Sequence, residues 1–261
     1  MKEISVILVT FNNQDTISKC LKSLQGNSNI LEIIVVDNAS TDETLKILED
    51  FDKSIKILRS FSNLGFSKAN NMAAKIALAD YLLFLNPDTY LERPQLLSEL
   101  LESLKNNPKY GLVGSKLNFP NGEIQPTVRN LPTSIGAFQQ YFLKIKNSYN
   151  FYVPTGKILL EVESVVGACL LIKRESFLKV MFDEKYFLYF EDLDLCKRIR
   201  QKGFKVGYLP NDGLVHLHGA SGKNQPTNKY LVDSAKKYHG SMGFAILNFI
   251  LRVANFLKLT E

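Results

Sequence analysis

Through roughly the first 115 residues, apolar runs of strand length alternate with amphipathic runs of helix length. This is the pattern of successive β-α-β units around a mostly parallel sheet. Four runs predict buried strands: Ile4–Thr10, Leu31–Asp37, Ile55–Ser60 and Tyr81–Asn86. Helices are expected near Thr16–Leu24, Thr41–Phe51 and Lys68–Ala79, with Ser40, Thr41, Asp42 and Glu43 supplying cap oxygens and N-terminal acid to the second. A fourth, near Gln95–Lys105, stops before the turn sequence Asn106-Asn107-Pro108. Leu82–Leu85 is continuously apolar, as a strand buried on both faces should be, and runs into Asn86-Pro87-Asp88. Open parallel sheets hold ligands beyond the carboxyl ends of their strands. Thr10, Phe11, Asn12, Asp37, Asn38, Asn63, Asn86 and Asp88 are therefore expected to converge on one crevice.

From Asn118 to about Glu161 the regularity gives way to Pro, Asn, Gly and aromatic residues. A long loop with a short helix near Ile135–Lys144 is expected there, the place for a variable lid or an acceptor-binding insert. Val162–Ile172 restores an apolar strand pattern, Asp192–Lys202 reads as a helix, and Lys205–Leu209 and Gly213–Leu217 read as strands. The longest apolar stretch, Gly243–Leu257, is shorter than the ~20 residues needed to cross a bilayer and carries Arg252 near its centre. Two readings stand: an interfacial helix drawn to anionic headgroups by Lys236, Lys237, Arg252 and Lys258, or a helix packed on its own domain or on a dimer partner.

A chain of 261 residues accommodates one large α/β domain with an appendage. Its net charge of +6 favours polyanionic partners: a nucleotide diphosphate, nucleic acid or an anionic lipid surface. The basic residues are scattered and form no RNA- or DNA-binding signature, so nucleic acid is not the expected partner. Cys20, Cys169 and Cys196 make no paired framework and no C-x-x-C, which predicts packing thiols in a reducing compartment. The N-terminus enters a strand-like run without the marks of a signal peptide, and a cytoplasmic protein is expected.

Three carboxylates, Glu191, Asp192 and Asp194, follow directly on the apolar run Tyr186–Phe190. They can complement the dipole of a helix whose later residues include Arg198 and Arg200. A carboxylate walled by aromatic rings can also have its pKa raised to a useful value, which makes Asp192 a candidate general base. Asp37 at a strand end can accept hydrogen bonds from a ribose or a base edge, or it can cap the next helix. No G-x-G-x-x-G follows the first strand, which disfavours a dinucleotide dehydrogenase. Asn86-Pro87-Asp88 can be an ordinary turn, but one carboxylate together with substrate phosphates suffices to hold Mg2+ or Mn2+. His216 and His218 share one face of the last strand, and His216 is the favoured ligand, beside the reading of satisfied structural histidines.

Together, Val9-Thr10-Phe11-Asn12, Val36-Asp37-Asn38-Ala39-Ser40-Thr41-Asp42, Ser62-Asn63-Leu64-Gly65-Phe66 with Asn71, Asn86-Pro87-Asp88, Gly167-Ala168, Phe190-Glu191-Asp192-Leu193-Asp194 with Arg198, and His216-x-x-Gly219-x-Ser221 resemble family 2 glycosyltransferases. The likeness is greatest to rhamnosyltransferase-type members that build bacterial surface polysaccharides, and it runs from residue 4 to about 221. It implies an α/β GT-A fold, Rossmann-like with a mostly parallel central sheet, in residues 1–222: a nucleotide-sugar-binding half (1–115) and an acceptor-binding and catalytic half (116–222). Residues 223–261 would form a C-terminal helical extension. It further implies inverting transfer from a nucleotide-diphosphate sugar, dTDP-rhamnose or a UDP-sugar, to a saccharide or lipid-linked saccharide. Thr10, Phe11 and Asn12 would border the nucleotide, Asp37 would face its base, and Asn63 would line the same pocket. Asn38, Gly65, Asn71, Asn86, Gly167, Ala168, Glu191 and Arg198 would complete the substrate site. Asp88 and His216 would hold Mg2+ or Mn2+, with Asp192 as catalytic base. The departure is Asn86, which stands where many relatives have the first Asp of D-x-D. Processive synthases of the family carry membrane spans and a Q-x-x-R-W signature; this chain has no tryptophan, so one sugar per encounter is expected. Peripheral contact with the inner face of the plasma membrane through residues 236–258, and a homodimer, are compatible with this picture. The rival enzyme class for the same crevice is a sugar-phosphate nucleotidyltransferase.

Overall fold

The structure, a computed structural model, describes residues 2–51, 55–217 and 227–260, with side chains in the last stretch described from 229. The expected β-α-β units are present as β1 (Ile4–Thr10), α1 (Ile17–Leu24), β2 (Ile30–Asp37), α2 (Thr44–Phe51), β3 (Lys56–Arg59), α3 (Gly65–Ile76) and β4 (Tyr81–Leu85). Next come β5 (Thr89–Leu91), α4 (Leu96–Lys105), β6 (Tyr110–Ser115), β7 (Val128–Arg129) and α5 (Ser134–Tyr141). The remainder is β8 (Leu160–Val162), β9 (Ser164–Val165), β10 (Cys169–Lys173), α6 (Arg174–Val180), α7 (Glu191–Gln201), β11 (Lys205–Leu209), β12 (Leu214–His216) and α8 (Thr227–Phe256).

One eight-stranded sheet runs β3-β2-β1-β4-β10-β6-β11-β8. It is mostly parallel; β10 lies antiparallel between β4 and β6, and β8 is antiparallel at the edge. Alternation along β1 sends Ile4, Val6 and Leu8 to the face covered by α1, α2 and α4, and Ile7 to the face covered by α3, α6 and α7. Both faces are dry, which explains why β4 reads as an unbroken apolar run.

The single strand expected over Val162–Ile172 is three. A turn at Gly167-Ala168 separates β9, which pairs with β7, from β10, which inserts into the main sheet. Strand β6 gives no clear signal because two glycines dilute its apolar run. A Cβ at Gly114 would lie 2.8 Å from Val165, so close packing of β9 on β6 requires a residue without one. Helix α8 bends at Gly240, whose φ of 71° breaks the helix into two arms. The first arm packs on the aromatic segment before α7, and the second packs on α5. Among the described residues no helix is long and apolar enough to cross a membrane. His218, Gly219 and Ser221 lie outside the described residues.

Candidate active site

At the carboxyl ends of β1 and β2 the polar loops are bonded to one another. Asn12, in the left-handed region (φ 56°), donates its backbone N–H to Ser40 Oγ at 3.0 Å and accepts from the Thr41 N–H at 2.8 Å. Thr10 Oγ1 donates to Asp37 Oδ1 at 3.3 Å, and Asp37 Oδ2 accepts from the Ser40 N–H. Asn38 is the hub of the next tier: its amide donates to Asn63 Oδ1 at 2.8 Å, and its oxygen accepts from the Leu64 N–H at 2.8 Å. Asn63 Oδ1 also accepts from the Gly65 N–H. These bonds fix the rim without help from a ligand.

Asp88 and His216, 128 positions apart in sequence, meet because β5 and β12 form a two-stranded ribbon with His216 opposite Thr89. Backbone closure is completed by the Leu217 N–H donating to Asp88 O at 2.9 Å. His216 Nε2 lies 3.4 Å from Asp88 Oδ1, and both residues are nearly inaccessible. Gln125 orients the imidazole: its Nε2 donates to His216 O at 2.7 Å, which turns Oε1 toward His216 Nδ1 at 2.9 Å. Nδ1 is then the donor to Gln125, and Nε2 is the ring nitrogen on the side of the Asp88 carboxylate. Two facing donor atoms of this kind suit a cation between them, with the far ring nitrogen held by an outer partner. The carboxylate suits Mg2+ or Mn2+, and the imidazole beside it favours the transition ion of the two. Among the described residues no group of three or more His, Cys, Asp or Glu could hold a metal ion, so further ligands would come from substrate phosphates and water.

Asp192 sits in the first turn of α7. Its Oδ2 accepts from the Gly167 N–H at 2.9 Å and its Oδ1 from the Leu193 N–H at 2.7 Å, so the carboxylate is aimed by the β9–β10 turn and its own helix start. Burial raises its pKa, opposed by those amides and by Arg129. Glu191 is raised well above the carboxylate range, by burial first and then by the neighbouring Asp192 charge. Its Oε2 is buried with no hydrogen-bond partner among the described residues. Burial pushes both carboxyls up, Glu191 further than Asp192, so a negative charge on the pair favours Asp192. Before the helix, Tyr189 and Phe190 both take positive φ, 69° and 68°, at a cost of about 1–3 kcal/mol each. The turn is held from two sides. The Phe66 N–H donates to Phe187 O at 2.7 Å, while from α8 Tyr230 stacks on Phe187 and Ser234 Oγ donates to Leu188 O at 2.8 Å.

Asp88, His216 and Asp192 line one cleft of about 590 Å³, together with Phe11, Asn38, Asn63, Gly65, Asn86, Gly167, Ala168 and Glu191. Thr10, Asn12 and Asp37 do not line it; they support the rim from below through the bonds given above. Asn71 and Arg198 also lie outside its lining. Asn71 clamps both backbone groups of Phe182, and Arg198 pairs with Asp194 while donating to Val180 O and Met181 O. Sequence reasoning missed Gln125, Arg129 and Phe151, all of which line the cleft. Arg129 Nε donates to Tyr149 O, and its guanidinium lies 4.5 Å from the Tyr149 ring centroid and 5.2 Å from that of Phe151.

The family model for "Glycosyl transferase family 2" matches residues 5–180. Among curated proteins, the "N-acetylglucosaminyl-diphospho-decaprenol L-rhamnosyltransferase" of Mycobacterium tuberculosis is 25% identical over 244 residues, covering 86% of this chain and 79% of its own length. "Rhamnosyltransferase WbbL" of Escherichia coli is 27% identical, covering 82% and 83%. Of the "Uncharacterized protein y4gI" of Sinorhizobium fredii, 28% identical, this chain spans only 25%. The crystal structure of "GalNAc-T7 with UDP, GalNAc and Mn2+" superposes with a TM-score of 0.65 at 18% identity, over 82% of this chain and 43% of that one. At that identity the likeness concerns the fold, which is that of the GT-A glycosyltransferases.

Proposed function

The chain belongs to glycosyl transferase family 2, and on that premise we propose that it moves one sugar per encounter, with inversion, from a nucleotide-diphosphate donor to a saccharide acceptor. The observation that carries this reading is one cleft lined by the paired Asp88 and His216 and by the Asp192 carboxylate held by two backbone amides. Asp192 takes the proton from the acceptor hydroxyl; the oxygen attacks the anomeric carbon opposite the diphosphate, and the bond to the diphosphate breaks. General-base assistance of this kind is worth ~10²–10⁴-fold. Asp88 and His216 would hold a divalent ion whose charge stabilises the departing diphosphate. Burial holds Glu191 toward its protonated form, which spares Asp192 a second adjacent charge and favours the ionised form that acts as base. Residues 1–115 are assigned to donor binding, 116–222 to the acceptor and catalysis, and 223–261 to a helical extension.

Two relatives named as rhamnosyltransferases favour dTDP-rhamnose as donor over a UDP-sugar, and the one named for a diphospho-decaprenol substrate favours a lipid-linked acceptor in surface-polysaccharide synthesis. Such an acceptor suits a cytoplasmic enzyme held peripherally at the membrane through residues 236–258. A thermal-shift screen of nucleotide diphosphates and nucleotide sugars, with and without Mn2+, tests the reading. A donor at about 100 times its Kd should stabilise the fold by about 2.7 kcal/mol, with Mn2+ increasing the gain. Absence of any nucleotide-dependent gain, or synthesis of a sugar nucleotide from a sugar phosphate and an NTP without acceptor glycosylation, would overturn it.

A further inference from the structure

The second arm of α8 is apolar on two sides. One side, with Leu247 and Ala254, packs on Ala137 and Tyr141 of α5. The other presents Met242, Ile246, Phe249, Val253 and Phe256 at steps of four and three, so they form one stripe. It is largely open: Met242, Phe249 and Phe256 are 78%, 68% and 85% exposed, and only Val253 is half-buried. Beside it, α5 and the turn that follows expose Ile135, Phe138, Leu143 and Ile145. Of the nineteen large apolar side chains exposed among the described residues, eight lie in these two segments, which pack on each other through Ala137, Tyr141, Leu247 and Ala254. A soluble monomer rarely leaves so large an apolar face bare.

Charge identifies the occupant. Residues 131–160 and 234–260 contain no Asp or Glu, yet carry Lys144, Lys146, Lys157, Lys236, Lys237, Arg252 and Lys258. Elsewhere acids are plentiful, 26 in the chain. A second copy docked by two-fold symmetry would set cations against cations. A bilayer surface with anionic headgroups takes both features, burying the apolar side chains at the acyl boundary and pairing the lysines above them. We propose that α5, the turn after it and the second arm of α8 form one compound surface that docks on anionic phospholipid. It deepens the contact proposed for residues 236–258 by adding the α5 side. It also sets the acceptor wall of the cleft beside the bilayer, because Tyr149, under Arg129, packs in the same cluster as Leu247.

Co-sedimentation of the full chain with phosphatidylglycerol/phosphatidylcholine vesicles, without donor or acceptor, tests the surface whether or not the chain transfers sugar. Partitioning should be at least about tenfold stronger than onto phosphatidylcholine alone and should weaken with salt. Phe138→Ser/Leu143→Ser on the α5 side and Phe249→Ser/Phe256→Ser on the α8 side should each reduce it about tenfold. The surface pair Lys144→Gln/Lys146→Gln, which tests charge without touching packing, should reduce it severalfold. Equal binding to both vesicle types, or wild-type binding by the α5-side variants, would overturn the proposal. So would a solution dimer that these variants convert to monomer without changing vesicle binding.

Discussion

The two walls of the cleft are stabilised differently. On the side proposed for the donor, loops after β1, β2 and β3 satisfy one another through bonds among Thr10, Asn12, Asp37, Asn38 and Asn63, and each lies close in space to the strand that precedes it. On the side of Asp192, proposed for the acceptor, the carboxylate follows a turn with two adjacent positive-φ residues, and that turn is held by aromatic stacking and by α8. The first wall is a hydrogen-bonded frame set by the sheet. The second is a strained turn that depends on distant packing, where a site can lose its aim before the fold is lost.

Substitutions at the seam and on each wall should separate these roles. Gly65, at φ 78°, touches both: a Cβ there would lie 2.5 Å from Phe187 O and 2.7 Å from its ring. Gly65→Ala should lower unfolding free energy in urea by about 2–4 kcal/mol, and a loss under 1 kcal/mol would mean that the turn yields freely. Asn38→Ala should cost about 1–3 kcal/mol and weaken donor affinity, because the Leu64 N–H loses its acceptor. Ser234→Ala should cost about 0.5–1.5 kcal/mol and lower turnover with donor affinity unchanged. If it weakens donor binding instead, the walls are not independent.

The smallest effect is a pH signature. Because the folded pKa of Glu191 is raised, its contribution to stability is fully present below its unfolded pKa and is lost as pH rises through the folded value. Glu191→Gln should therefore gain in melting temperature relative to the wild type as pH rises from 5 to 8. A constant difference across that range would contradict a neutral Glu191. By the same sign, turnover should fall on the acid side at a pH above the ordinary aspartate value of 3.8, since burial raises Asp192 and the base acts only when ionised.

Phe11, Asn38, Asn63 and Asn86 were legible as cleft residues because they follow strands whose apolar runs are visible. Thr10, Asn12 and Asp37, from the same strand ends, bond the rim and do not line the cleft. The β5–β12 ribbon was not visible, so Asp88 and His216 could be chosen by chemical type and resemblance but not by contact. Gln125 and Arg129 were hidden because they come from an irregular segment whose position is set by β7 pairing with β9 and by the Tyr152 bridge. Asn71 and Arg198 show the reverse: they stand in the motif, yet their side chains hold the 180–182 backbone. Sequence shows which side chains could do chemistry, and long-range pairing decides which of them reach the cleft.

The central claim is that Asp192 acts on the acceptor and leaves the donor to the opposite wall. Turnover and donor-nucleotide affinity of Asp192→Asn, measured on one preparation, test it directly. The account predicts wild-type donor affinity with turnover reduced by ~10²–10⁴-fold. Near-normal turnover with donor affinity intact would remove Asp192 from the base role and contradict it.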